Sequence, residues 1–263
     1  MSAAATGHGY AFSPDGAVRM WARNATVARR TILVTLVPRF LEAIAYLAIM
    51  GLGLGVYLTT VEGHDYVEFI APGVAAATVM FGAVIEATYN AFVRIHVRRV
   101  FEAVITTPLA LEDVVVGEYL WAATRAVLYG TVFLIVMACF GLVLSPWAVL
   151  LPFVFAIGAL TFAVLGMAYT ACTSNIEQFN ILFTGIITPM FLFGGVFFPF
   201  SGLPEWAQVI GWLLPLSHLV AACRDLTLGG PDLLTLAHVG ALVVILVAVF
   251  PFPAARLRRT LLR

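Results

Sequence analysis

The stretch GGVFFPFSGLPEWAQVIGWLLPLSHLVAACRDLTLGG, residues Gly194 to Gly230, decides how the rest of this chain is read. It begins as the end of an apolar helix, but Pro199, Pro204 and Pro215 interrupt it, and proline removes a backbone donor and breaks a helix in progress. The chain must turn here. Between the prolines, Glu205 to Trp212 has a helix-compatible pattern with two tryptophans, Trp206 and Trp212, a residue type favoured where hydrocarbon meets headgroup. Irregular backbone at that depth persists only where protein or a water-filled cavity satisfies its polar groups. Two readings stand at this point: a re-entrant segment, or a long loop that dips at the interface. Both place it at the membrane surface beside an apolar span.

Composition makes the membrane setting firm. The chain has 263 residues, of which 62% are hydrophobic and 11% charged, against roughly a quarter charged in soluble domains. Its mean hydropathy is +1.02. This is the composition of an all-α polytopic membrane protein. All 14 basic residues are Arg, so a phosphate-binding loop ending in Gly-Lys-Ser/Thr is excluded. Arg19, Arg23, Arg29, Arg30 and Arg39 precede or open the first span, and Arg256, Arg258, Arg259 and Arg263 follow the last. The positive-inside rule then puts both termini in the cytoplasm and requires an even number of spans.

Outward from the hairpin, apolar runs at Phe40–Leu58, Phe69–Val93, Val114–Leu144, Trp147–Cys172, Phe179–Phe200 and Leu233–Phe252 predict six spans, each near the ~20 residues a crossing helix needs. Ala17 to Val37 is expected to be an amphipathic helix in the cytoplasmic interface, with Arg19, Arg23, Thr26 and Arg30 on one face and Trp21, Ala25, Ala28 and Ile32 on the other, followed by a bend at Pro38. The division is therefore 1–37 for tail and elbow helix, 38–255 for the transmembrane domain and 256–263 for a cytoplasmic tail. The Gly51–Gly55 run follows no strand and reads as a place where helices approach closely. Cys139, Cys172 and Cys223 have no metal-ligand spacing and read as small packing residues.

Ionisable groups within spans need a reason. Glu86 lies eight residues before Arg94, about 12 Å along a helix, and Arg125 sits at comparable depth in the third span, so the two can pair. Glu118, seven residues before Arg125, competes for the same guanidinium. The alternatives are a structural ion pair and a proton relay or substrate contact. Asn180, Thr184 and Thr188 recur every four residues on the fifth span, as an interhelical hydrogen-bonding stripe or as the lining of a path. No catalytic or metal-binding motif is present in the sequence, and His218 reads as a loop contact.

Several segments together resemble one family. Tyr66-Val67-Glu68-Phe69-Ile70-Ala71-Pro72-Gly73, Phe101-Glu102-Ala103-Val104-Ile105-Thr106-Thr107-Pro108-Leu109 and Gly117-Glu118-Tyr119-Leu120-Trp121-Ala122-Ala123-Thr124-Arg125 are similar to the membrane subunits of ABC-2 type exporters. Gly194 to Pro199, Leu203-Pro204 and Pro215-Leu216-Ser217 resemble the family's outer motif, and the subgroup is that of nodulation-factor and drug-resistance permeases. The resemblance implies an elbow helix, six spans and short re-entrant helices between spans five and six. It also implies a coupling loop, here Arg94, Arg98, Arg99, Phe101, Glu102, Val104, Thr107 and Pro108, that docks into a separate ABC ATPase. ATP and Mg would be bound by two copies of that partner and none by this chain.

A second permease copy, identical or related, would complete the path in a bacterial inner membrane, with lipids as the surroundings and no nucleic acid involved. Phe193, Phe197, Phe198 and Phe200 are expected as an outer gate. The cargo expected from such relatives is a lipid, a glycolipid or polysaccharide, or a hydrophobic drug. The competing functional readings are a stand-alone proton-coupled transporter working through Glu86, Glu118 and Arg125, and an intramembrane enzyme.

Overall fold

The computed structural model describes residues 12–53, 55, 57, 60–97, 109–202 and 204–261. Among them are six helices long and apolar enough to cross a membrane. Helix α1 (Pro14–Arg29) precedes them, with Pro14 at a first-turn position where its missing donor costs nothing. Then come α2 (Ile32–Leu52), α3 (Tyr66–Val97), α4 (Leu111–Cys139), α5 (Leu151–Thr170, entered through a 3₁₀ turn at Pro146–Leu150) and α6 (Ile176–Phe193). Two shorter helices follow, α7 (Glu205–Leu213) and α8 (Pro215–Arg224), the latter continued by a π-turn at Asp225–Gly229. The chain closes with α9 (Leu233–Val249) and α10 (Phe252–Leu261).

Helix α3 is the axis of the fold. In its apolar window 78% of residues are buried, against 11% for α2 and 17% for the α9–α10 span, so those two lie on the outside. Small residues let its neighbours approach. A Cβ at Gly82 would sit 2.8 Å from the Tyr129 ring of α4, and one at Gly166 of α5 would sit 3.1 Å from Ala87. Gly51 at the end of α2 and Gly55 just beyond it both face Val67 of α3, where an added Cβ would lie at an ordinary contact distance of 3.5 Å, so glycine is not required there for the helices to meet.

Two boundaries and one packing face go beyond expectation, each for a physical reason. The bend expected at Pro38 is absent. The helix breaks at Arg30–Thr31, and Pro38 lies within α2, so residues 32–37 belong to the first span helix. Helix α1 also buries a strip of its own against protein, Gly16, Ala17, Met20 and Asn24, which the two expected faces did not include, because α1 packs against α4. The last apolar run, expected to stop at Phe252, is followed directly by more helix: the chain turns at Pro251 and resumes as α10, which carries Arg256, Arg258 and Arg259. Of the cysteines, Cys223 is packed in the core, whereas Cys139 and Cys172 are exposed.

Between α2 and α3 a two-residue hairpin pairs Thr60–Val61 with His64–Asp65. Its turn residues, Glu62 and Gly63, have φ of 51° and 84°, the left-handed pair that a tight hairpin turn demands. At the other end of the bundle α1, the last turns of α3, the start of α4 and α10 come together, with Arg258 of α10 3.6 Å from Glu112. The molecule thus has an arginine-rich end and a hairpin end, joined by α3.

Candidate functional site: a buried ion network and an outer clamp on one helix

The charges within the spans converge at the arginine-rich end. Glu86 accepts from Arg125 Nη1 on α4 at 2.7 Å and from Arg94 Nη1 at 2.8 Å. Arg94 Nη2 reaches across to Glu118 at 2.6 Å. The remaining lone pairs are also used: Trp121 Nε1 and Asn90 Nδ2 donate to Glu86 at 2.9 and 2.7 Å, and Asn24 of α1 donates to Glu118 at 3.1 Å. Arg125 Nη2 donates to the Tyr129 hydroxyl, and Arg39 of α2 lies over the same ring at 5.0 Å. Two carboxylates and two guanidinium groups therefore form one closed set that draws in α1, α2, α3 and α4.

The expected Glu86–Arg125 pair is present, and Glu118 does not compete for Arg125 but turns to Arg94. Arg94 was expected on the coupling loop. Its guanidinium instead folds back into the helix bundle, its side chain only 16% exposed, and becomes the centre of the network. The cause is local: Glu86–Asn90 and Val93–Val97 are π-turns. In a straight α-helix, residues eight apart point about 80° away from each other, and one extra residue in a turn reduces this to about 20°. The wide turn also frees a carbonyl, and Thr170 of α5 donates to Ala87 at 2.9 Å. Arg98, Arg99, Phe101, Glu102, Val104, Thr107 and Pro108 lie outside the described residues.

At the hairpin end α7 and α8 meet at 91° across Leu214. Pro199 and Pro204 precede α7, whose N-cap is Pro204, and Pro215 opens α8. Trp206 is 62% exposed, and Trp212, also exposed, stacks on Phe200 and His238. Arg224, at the end of α8, was not singled out by the sequence, although an arginine in an apolar helix deserved it. Its Nη2 donates to the Gly195 carbonyl at 2.9 Å, its Nε to the Phe69 carbonyl at 3.3 Å, and its guanidinium lies 3.7 Å over the Phe69 ring. One side chain therefore clamps the start of α3, the end of α6 and the α7–α8 pair. Gly73 of α3 sits so close to Val196 that a Cβ would be 3.1 Å from its backbone.

The four candidate gate phenylalanines do not act as one cluster. Phe193 and Phe198 are exposed, and Phe197 packs edge-on against Phe191, which continues to Phe81 of α3. Phe200 is held apart, its ring near Gly195 and Gly211 and stacked on Trp212 at 6.4 Å, which makes it part of the hairpin's own packing. His218 is more than a loop contact: its Nδ1 lies 2.9 Å from Nδ1 of His238, tying α8 to α9. Asn180, Thr184 and Thr188 are all exposed on α6, around a π-turn at Phe183–Ile187.

Comparison with known proteins gives this architecture its family. The family model for the ABC-2 type transporter matches residues 17–228. This chain belongs to the ABC-2 type transporter family. It is a transmembrane permease of that family, a multi-pass protein without catalytic machinery of its own, and permeases of this kind work with an ABC ATPase. The chain is 38% identical over 249 residues to Nodulation protein J of Rhizobium leguminosarum bv. trifolii, covering 94% of each chain. It is 34% identical over 248 residues to Nodulation protein J of Rhizobium meliloti (strain 1021), covering 93% of this chain and 94% of the other. The Inner membrane transport permease YadH of Escherichia coli (strain K12) is 23% identical over 235 residues, 88% of this permease and 90% of YadH. The matched region contains the Glu86 network, the Arg224 clamp and the hairpin between α6 and α9.

Proposed function

We propose that this permease is the path-forming subunit of an ATP-driven exporter in a bacterial inner membrane, with both termini in the cytoplasm. Two copies, most simply identical, enclose the path, and two ATPase chains bind ATP and Mg beneath them. The segment 98–108 serves as the coupling loop, α1 lies in the cytoplasmic interface, and α7 and α8 re-enter the membrane from outside. The observation that carries this reading is the placement of both polar assemblies on α3. The ion network grips the helix just before residues 98–108, and the Arg224 clamp grips its far end. Motion imposed on the loop by ATPase closure is passed along a buried rod to the hairpin, as a rigid-body switch.

Phe193, Phe197 and Phe198 form the outer gate between two copies, and the exposed Asn180, Thr184 and Thr188 line the path. An aromatic gate above an uncharged, Asn- and Thr-bearing lining favours an amphiphilic cargo, a lipid, glycolipid or hydrophobic drug, over a strongly charged solute. The closed ion set, with one positive for each negative charge, favours a structural role for Glu86, Glu118 and Arg125 over a proton relay. The test is purification of the tagged permease from native membranes in mild detergent, comparing wild type with a variant altered at Arg98, Arg99 and Glu102. An ATPase chain that co-purifies near one-to-one and is lost in the variant supports the reading. A permease that purifies alone, with uncoupler-sensitive transport that needs no ATP, overturns it.

A further inference from the structure

The break between α1 and α2 opens a cleft of about 430 Å³ against the ends of α3 and α4. Its polar wall is built by Arg23, Asn24, Asn90, Arg94, Trp121 and Arg125, with Glu86 behind them. Arg94 and Arg125 are balanced by Glu86 and Glu118, which leaves Arg23 as an excess positive charge at the cleft; among the described residues its hydrogen bond is to the neutral Asn24 Oδ1, at 3.3 Å. Arg94 Nε is buried in the same wall and has no acceptor among the described residues. A buried donor without a partner is costly, and a turn of the Arg94 side chain toward the cleft would present it to an oxygen-rich anion there.

The cleft does not end in protein. A narrow second groove shares Ala28, Thr31, Trp121 and Arg125 with it and continues between α2 and α4 past Ile32 and Leu128. Beside that groove α2 exposes Leu33 and Val34, 72% and 77% accessible, the surface expected where a helix meets acyl chains. A polar chamber with one surplus positive charge therefore opens into an apolar channel running along a span. That is the shape and chemistry of a lipid with a singly negative headgroup.

We propose that this cleft binds an anionic phospholipid of the leaflet at the arginine-rich end, with its phosphate between Arg23 and Arg94 and one acyl chain in the groove between α2 and α4. The bound lipid braces α1 against α3 and α4, so it stabilises the network that holds the coupling end of α3. The inference rests on the reading of this chain as a permease whose α1 lies at the membrane surface.

The test uses the full permease with its co-purified ATPase, delipidated in detergent, and follows the thermal midpoint during titration with phosphatidylglycerol, phosphatidylcholine or inorganic phosphate, since a ligand that binds only the folded state raises that midpoint in a saturable way. Phosphatidylglycerol is expected to raise it saturably and phosphatidylcholine not. Arg23→Gln, which leaves the packing of Ala17 and Met20 intact, should shift half-saturation about 10-fold upward, the loss of one charge-assisted contact. Ala28→Phe, which plugs the junction of cleft and groove, should abolish the response. Equal effects of the two lipids, or wild-type titrations in both variants, overturn the site. Saturation by inorganic phosphate at the same concentration also overturns it, by assigning the cleft to a soluble anion. Retention of the ATPase chain in these preparations is scored separately, so a failed lipid site leaves the permease reading standing.

Discussion

Arg94 donates to Glu86 at 2.8 Å although the two residues are eight positions apart on one helix, and it reaches Glu118 of α4 with its other terminal nitrogen at 2.6 Å. The π-turns of α3 make this possible, and they recur where the network and the neighbouring carbonyls are satisfied. A single arginine thereby fixes the rotation of α3 relative to α4 next to the loop that leaves the bundle.

Breaking this set from one side leaves buried charge behind. Glu86→Ala strands Arg125 and leaves Arg94 with Glu118 as its remaining carboxylate, and the expected cost is about 3–5 kcal/mol, the range for removing one partner of a buried pair. Glu86→Ala combined with Arg125→Ala is expected to lose less than the sum of the single losses. Thermal unfolding of the purified single and double variants measures the coupling, and strict additivity would mean that the pair does not interact.

Helix α1 is seated by contacts of Ala17 and Met20 on Gly117, where a Cβ would lie 2.6 Å from the Met20 side chain and 2.9 Å from the Ala17 carbonyl. Gly117→Val should therefore lift α1 at a cost of about 1–3 kcal/mol, typical of overpacking. The loss should appear as faster protease cleavage between Arg29 and Ile32. Unchanged cleavage and stability would show that α1 is held elsewhere.

The outer clamp depends on charge-assisted bonds that a neutral side chain of similar length cannot make. Arg224→Met should weaken the attachment of the α7–α8 pair to α3 and α6 by about 1.5–3 kcal/mol, the range for a hydrogen bond to a charged group. The readout is hydrogen exchange at Gly195 and Val196, which should become faster than in wild type while the amides of α4 keep their protection.

Phe197 and Phe198 are the gate positions to truncate first, because Phe200 is committed to the hairpin. Replacing both with Ala should leak cargo or uncouple ATP turnover from transport in vesicles, with normal expression. Transport and coupling equal to wild type would remove the gate from the account.

Apolar runs, prolines and arginine distribution revealed the six spans and the broken hairpin because these follow from bilayer thickness and backbone chemistry alone. The Glu86–Arg125 pair was legible for the same reason, since unlike charges in spans must find each other. Arg94 was misplaced because its position depends on π-turns, which shift the helical phase and leave no composition signal at Glu86–Asn90. Arg224 left a signal, an arginine directly after the apolar run Leu219–Cys223, that was overshadowed by the prolines around it. The packing face of α1 was missed because its arginine stripe dominates the pattern, whereas the contacts with α4 are made by the small or flexible Gly16, Ala17 and Met20.

The central claim is that α3 carries the signal from the ATPase end to the hairpin. It is tested by a fluorescent label on Leu213→Cys, an exposed position of α7, in a chain with the exposed cysteines replaced (Cys139→Ser, Cys172→Ser) and the partner ATPase present. ATP with Mg should change the label's accessibility in this background. In Glu86→Gln, which keeps the shape and one acceptor oxygen but removes the charge, that change should be lost while ATP is still hydrolysed. An identical change in both proteins would contradict transmission through α3.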